Sequence, residues 1–172
     1  MKDDLRRHFL AIRMQMSPQD VTKKSSVIAD QIIATIDWKN IKTLHCFLPL
    51  VDDHEPDMRP VIEYALTKNV AVYTSDPAVE TGRKVKTLEA TEDQNKIMQY
   101  DLAANIQFDV VIVPMIAYDS DTKHRLGFGS GFYDRFLVTQ TKAKTIGVCF
   151  TECMTSIQAE THDQPLDIII SN

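Results

Sequence analysis

Four β-branched residues, Val110-Val111-Ile112-Val113, follow Asp109 without interruption and stop at Pro114. A strand with no polar alternation has no face to offer water, so it must be covered on both sides. Shorter apolar runs predict further strands at Thr43–Leu48, Val70–Thr74, Thr145–Phe150 and Asp167–Ile170, with a weaker one at Lys84–Leu88. Helical periodicity lies between them. Leu5, Phe9, Ile12 and Met16 recur at helical spacing, with Arg6, Arg7 and Arg13 interleaved. Ser17-Pro18-Gln19-Asp20 then reads as a capped helix start, leading into Val27, Ile28, Ile32 and Ile36. Helices are also expected at Met58–Lys68, Glu92–Ala104 and Phe132–Val138. Buried strands alternating with helices predict a three-layer α/β/α fold around a mostly parallel sheet, in a single domain over residues 1–172.

Composition removes several functions. The chain of 172 residues is 44% apolar and 25% charged, with a net charge of -5 and no basic stripe, so no nucleic-acid partner is expected. The charged N-terminus, Met1-Lys2-Asp3-Asp4-Leu5-Arg6-Arg7, is not followed by an apolar core, and no apolar run is long enough to cross a bilayer. No membrane role and a cytoplasmic setting are the expectation. Cys46, Cys149 and Cys153 form neither a disulfide framework nor a zinc site, and read as thiols in a reducing compartment. Five histidines are scattered without metal-ligand spacing. His45, inside an apolar strand, is expected to be a core residue with a satisfied ring.

Glycine is concentrated where chemistry is expected. The chain has five glycines, and Gly127, Gly129 and Gly131 fall within one short segment between the main strand and a helix. Glycines let a backbone adopt positive φ and approach a ligand closely, and a following helix turns free N–H groups toward the loop. Together they suit an anion, most naturally phosphate. A tight turn remains the plain alternative. Neither the Walker spacing nor the Rossmann spacing is present. Lys123 and Arg125 add positive charge at the loop entrance. Asp134, in the first turn of the helix, either holds a magnesium ion or simply complements the helix dipole. Asp52, Asp53, Glu55 and Asp57 form an acidic loop after the first strand, which on its own reads as solvated.

The segment Arg125-Leu126-Gly127-Phe128-Gly129-Ser130-Gly131-Phe132-Tyr133-Asp134-Arg135, preceded by Asp109–Pro114 and Ala117-Tyr118-Asp119, resembles the signature of the 5-formyltetrahydrofolate cyclo-ligase family. Lys2-Asp3-Asp4-Leu5-Arg6 is similar to the family's N-terminal Lys-x-x-Leu-Arg. Pro49–Asp57 resembles its acidic loop, and Ile146-Gly147-Val148 with His162-Asp163 its C-terminal part. The resemblance implies a fold like that of sugar-phosphate isomerases and CoA transferases. It also implies ATP- and Mg2+-dependent conversion of 5-formyltetrahydrofolate to 5,10-methenyltetrahydrofolate, through phosphorylation of the formyl oxygen. Lys2, Arg6, Arg125, Leu126, Gly127, Phe128, Gly129, Ser130, Gly131, Phe132 and Tyr133 would hold ATP. Glu55, Tyr133 and Met115 would line the folate pocket. Asp134 and Asp163 would hold magnesium, and Arg125 and Tyr133 would act in catalysis. A monomer is expected, with a homodimer as the alternative.

Some positions depart from the family pattern. Met115 stands where the family has glycine, and is expected to narrow the pocket. Ser130 replaces a glycine, Phe132 replaces a tyrosine, and Lys86–Asn105 lacks a Gly-x-x-Glu-Pro element. They motivate a second reading, a nucleotide-binding module that has lost the folate reaction. A third, an isomerase or CoA-transferase-like enzyme, rests on fold analogy alone.

Overall fold

A computed structural model of the chain describes residues 2–75, 84–88, 97–101 and 106–172. Its helices are α1 (Lys2–Met14), α2 (Pro18–Thr35), α3 (Arg59–Thr67) and α4 (Phe132–Thr139). The strands are β1 (Thr43–Cys46), β2 (Ala71–Ser75), β3 (Lys84–Leu88), β4 (Ile97–Asp101), β5 (Val110–Pro114), β6 (Ala117–Tyr118), β7 (Arg125–Leu126), β8 (Lys144–Cys149) and β9 (Ile168–Ser171). The main sheet runs β4-β3-β2-β1-β5-β8-β9. Neighbours from β2 through β9 pair in parallel, and β3 and β4 add an antiparallel ribbon at one edge. The fold expected from the sequence is the one found, with one correction. Ile97–Asp101 lies inside the span read as a helix, yet it is a strand whose five residues pair with Lys84–Leu88. Its polar composition pointed to a solvated helix, but the ladder offered by β3 outweighs so weak a local preference. The rest of that span lies outside the described residues.

The two-sided burial of β5 builds the three layers. Val110 and Ile112 point into one core with α2 and α3, through Ile28, Ile32, Val61 and Ala65. Val111 and Val113 point into the other core, which holds Phe9 of α1 and Phe136 and Leu137 of α4. The start of α2 follows the expected cap: the Asp20 N–H donates to Ser17 Oγ at 3.1 Å.

The strand order reverses between β1 and β5. From β1 the chain passes through α3, on one face, to β2. From β5 it passes through α4, on the other face, to β8. The loops that leave the carboxyl ends of β1 and β5 therefore diverge and leave a crevice between them, the usual ligand position in open α/β sheets. One loop carries Glu55, and the other carries Gly127, Gly129 and Gly131.

His45 lies in the core as expected, but its ring is not satisfied as expected. Neither ring nitrogen has a hydrogen-bond partner among the described residues. The ring instead packs on Phe136 and Phe108, at centroid distances of 4.8 and 5.5 Å. Burial drives its pKa down to about 3. The unfolded chain thus binds a proton below the ordinary histidine pKa while the folded chain does not, so stability from this group is full at neutral pH and falls as pH falls. The stability of wild type relative to His45→Phe should decline by about 1.4 kcal/mol per pH unit below about pH 6.5. Chemical denaturation across pH 4.5–7.5 measures this, and a pH-independent difference would show that the ring carries its proton in the fold.

Candidate active site

A small hairpin presents the glycine segment. After β5, the pair β6 and β7 places Ala117 opposite Leu126 and Tyr118 opposite Arg125. Asp119 locks the turn. Its Oδ1 accepts from the N–H groups of Asp121 and Thr122, and its Oδ2 accepts from the Ile157 N–H, each at 3.0 Å. These backbone donors hold its carboxyl below the usual range. The hairpin is thus pinned to the body of the protein, and the chain leaves it at Leu126 in a set direction.

The glycine segment then bends in the way only glycine allows cheaply. Gly129 has φ +98° and Gly131, the residue capping α4, has φ +65°. The carbonyl of Gly127 accepts from Arg6 Nε at 2.8 Å. A β-carbon on Gly129 would lie 3.3 Å from the Arg6 guanidinium carbon. Helix α1 therefore lays a cation directly along the segment. Ser130 Oγ accepts from the Phe132 N–H at 3.3 Å, and the Ser130 carbonyl accepts from Arg135 at 3.0 Å. Phe128 is 42% exposed beside these groups.

Around the segment, cations and carboxylates alternate. Arg125, with a side chain only 4% exposed, donates to Asp134 Oδ1 at 2.6 Å and to the Gln164 carbonyl at 2.7 Å. Burial draws its pKa down, and Asp134 foremost, with Tyr133 and Asp163, opposes that. Lys2 Nζ lies 2.8 Å from Asp163 and 2.9 Å from Glu160. Burial raises the Asp163 carboxyl, but the hydrogen bonds from Lys2 and from the Glu160 N–H outweigh it and hold it below the usual range. The fold brings Lys2, Arg6, Arg125, Asp134 and Asp163 to one end of the glycine segment from four separate parts of the chain. Among the described residues no three His, Cys, Asp or Glu side chains gather as a metal cage. Asp134 and Asp163, the two carboxylates expected to hold magnesium, are paired with Arg125 and Lys2.

On the opposite side of the crevice, Glu55 is 4% exposed. Its Oε2 accepts from the Leu50 N–H at 2.9 Å, closing the short 3-10 turn Val51–Asp53. Burial pushes its carboxyl up to about 7; the Leu50 N–H and the charge of Arg13 pull the other way. The solvated-loop alternative therefore fails for this residue. Tyr133 stands over the His45 ring, with centroids 6.1 Å apart, and meets Phe132 edge-on at 5.0 Å. Met115, expected to line the folate pocket, is the first residue after β5. It is fully buried, and its side chain fills the space over Gly147, where a β-carbon would meet the Met115 sulfur at 2.8 Å.

A family model described as the 5-formyltetrahydrofolate cyclo-ligase family matches residues 1–172. The chain belongs to that family. The 5-formyltetrahydrofolate cyclo-ligase of Mycoplasma genitalium is 24% identical over 99% of this chain and 98% of its own length. Stretches covering 38% and 36% of this chain are 34% and 39% identical to the cyclo-ligases of Mycoplasma pneumoniae and Saccharomyces cerevisiae. Those two stretches span 40% and 33% of the relatives' own lengths. The structure of a 5,10-methenyltetrahydrofolate synthetase from Mycoplasma pneumoniae superposes with a TM-score of 0.80, at 22% identity, over 99% of this chain and 98% of that one. That of Aquifex aeolicus gives 0.73, at 20% identity, over 98% and 88%. The family fold is thus the fold of this chain.

Sequence reasoning overlooked two residues of the site. Gln164 meets Arg125 and Asp134 through its main chain, accepting from Arg125 and donating to Asp134 Oδ1 at 3.4 Å, so no side-chain pattern could mark it. Arg13 did leave a signal. It lies four residues after Phe9, on the face of α1 that the helical period turns inward, and it is fully buried.

Gly129→Ala should destabilise the protein by about 1–2 kcal/mol, the usual cost of forcing a side chain into positive φ, and should displace Arg6. Thermal unfolding with and without ATP-magnesium tests this. An unchanged melting temperature with a full nucleotide response would show that the bend of the segment is dispensable.

Proposed function

We propose that this chain is an ATP- and magnesium-dependent 5-formyltetrahydrofolate cyclo-ligase acting in the cytoplasm. One observation carries the reading. The phosphate-type glycine segment and the buried acid Glu55 leave adjacent strand ends on either side of one crevice, in a chain matched to the family end to end. A nucleotide on one loop and a folate on the other would meet above β1 and β5.

The reaction needs little covalent help from the protein. A formyl amide oxygen is a poor leaving group. Transfer of the γ-phosphoryl group to it makes it a good one, the second folate nitrogen then attacks the formyl carbon, and phosphate departs as the ring closes. The protein's part is alignment and neutralisation of charge. Lys2, Arg6 and Arg125 supply cations to the phosphates, and the backbone from Leu126 through Gly131, with Phe128, Ser130 and Phe132, surrounds them. Magnesium, held by Asp134 and Asp163, would neutralise charge on the phosphate oxygens. The ion pairs Lys2–Asp163 and Arg125–Asp134 keep these groups in place before substrates arrive. Tyr133, beside Arg125 at the head of α4, is assigned to the reacting centre and to the folate side. Glu55 as a carboxylate would accept hydrogen bonds from the N–H groups of the pterin ring.

Asp134→Asn should abolish ATP-dependent formation of the methenyl product, followed by its absorbance, with wild-type rates removing Asp134 from the mechanism. Asp134→Ala is a poorer probe, because it leaves the buried guanidinium without the acceptor oxygen that an asparagine amide would keep at the same position. A second outcome concerns pH. Because Glu55 titrates at about 7, kcat/KM for the folate should rise with pH through that value and level off, and Glu55→Gln should remove the step. A profile unchanged by that substitution would separate Glu55 from the substrate.

A further inference from the structure

Arg13 is a cation in an unusual place. It is fully buried at the end of α1, and among the described residues no carboxylate lies within ion-pairing distance. Each of its three guanidinium nitrogens donates to a backbone carbonyl. Nε and one terminal nitrogen reach the Asp53 oxygen at 3.0 and 2.5 Å, and the other terminal nitrogen reaches the Met115 oxygen at 3.5 Å. Its own carbonyl meets His54 Nδ1 at 3.0 Å. Asp53 and His54 belong to the loop that follows β1, and Met115 is the first residue after β5. Arg13 therefore bridges the two strand ends whose divergence forms the crevice. Its charge acts on the Glu55 carboxyl only through space; burying a charge without a direct ion pair is expensive, and an apolar side chain would fill the same space at lower cost. The fork is what an apolar residue cannot supply: several directed bonds to main-chain oxygens in both loops.

The other end of the same helix holds the glycine segment through Arg6 and Gly127. Seven residues of α-helix separate Arg6 from Arg13, a rise of about 10 Å along a stiff rod. We propose that Arg13 is a positioning residue: through α1 it sets the Glu55 loop at a fixed separation from the glycine segment, and so aligns the folate with the nucleotide. Glu55 lies two residues beyond the clamped Asp53 carbonyl, its main-chain N–H donates to the Leu50 carbonyl at 3.2 Å, and its carboxylate closes the same turn. An unbroken set of hydrogen bonds thus ties the loop to Arg13. The proposal rests on the folate reading given above.

The test is steady-state kinetics on the full chain, with 5-formyltetrahydrofolate and ATP-magnesium varied separately. Arg13→Met should raise the folate KM about tenfold or more while the ATP KM stays within about twofold, the split expected when one substrate loses its alignment. Arg13→Lys, which keeps the charge but loses the fork, should shift the folate KM in the same direction by less, and it decides the matter alone if Arg13→Met does not fold. Folate and ATP KM values that rise together, or that do not move, overturn the proposal. An inactive wild type would remove the functional reading and the proposal with it, whereas an active wild type with insensitive variants removes the proposal alone.

Discussion

Two neighbouring parallel strands, β1 and β5, send the chain to opposite faces of the sheet, and the site depends on that divergence. Hydrogen bonds between them, in the register Leu44–Val110, His45–Val111 and Cys46–Ile112, hold the strand ends level. The loops above then part, because α3 and α4 cover different cores. A crevice follows from topology before any side chain is chosen. Side chains determine what the crevice can hold. One wall has a main chain bent at Gly129 and Gly131, and the other has a buried acid poised near neutrality.

The site is also a meeting of charges that the fold pairs directly. Lys2, Arg6 and Arg125 lie within reach of Asp163, Asp3 and Asp134. Such pairs gain little stability when exposed, and buried ones barely offset their desolvation. Their value here is geometric. The Arg125 guanidinium, held by Asp134 on one side and the Gln164 carbonyl on the other, has its orientation set by the fold itself. A group preset in this way does not have to be ordered during the reaction.

Much of this was readable from the residues alone, for identifiable reasons. The β-branched run at 110–113 could be covered only from both sides, so the layered fold followed from it. The glycine cluster announced backbone curvature, and Gly129 and Gly131 do take positive φ, though Gly127 does not. The strand at Ile97–Asp101 was not readable, because its only reason to be extended is a partner strand, and pairing is non-local. The burial of Met115 escaped notice for a related cause: the space it fills is created by the absent side chain of a residue on the next strand. For His45 the apolar context correctly placed the ring inside, but nothing in a strand pattern tells whether a hydrogen-bond partner waits there. Arg13 was hidden by its charge, which reads as surface until its phase on the helix is compared with that of Phe9.

The nesting of Met115 over Gly147 has a corollary. A β-carbon at residue 147 would fall 2.4 Å from a Leu166 methyl and 2.8 Å from the Met115 sulfur. Both obstructing groups are the far ends of flexible side chains, so a side chain at 147 requires Met115 and Leu166 to move aside together. The three positions, distant in the chain, share one volume, and a change at any of them alters the space left to the other two.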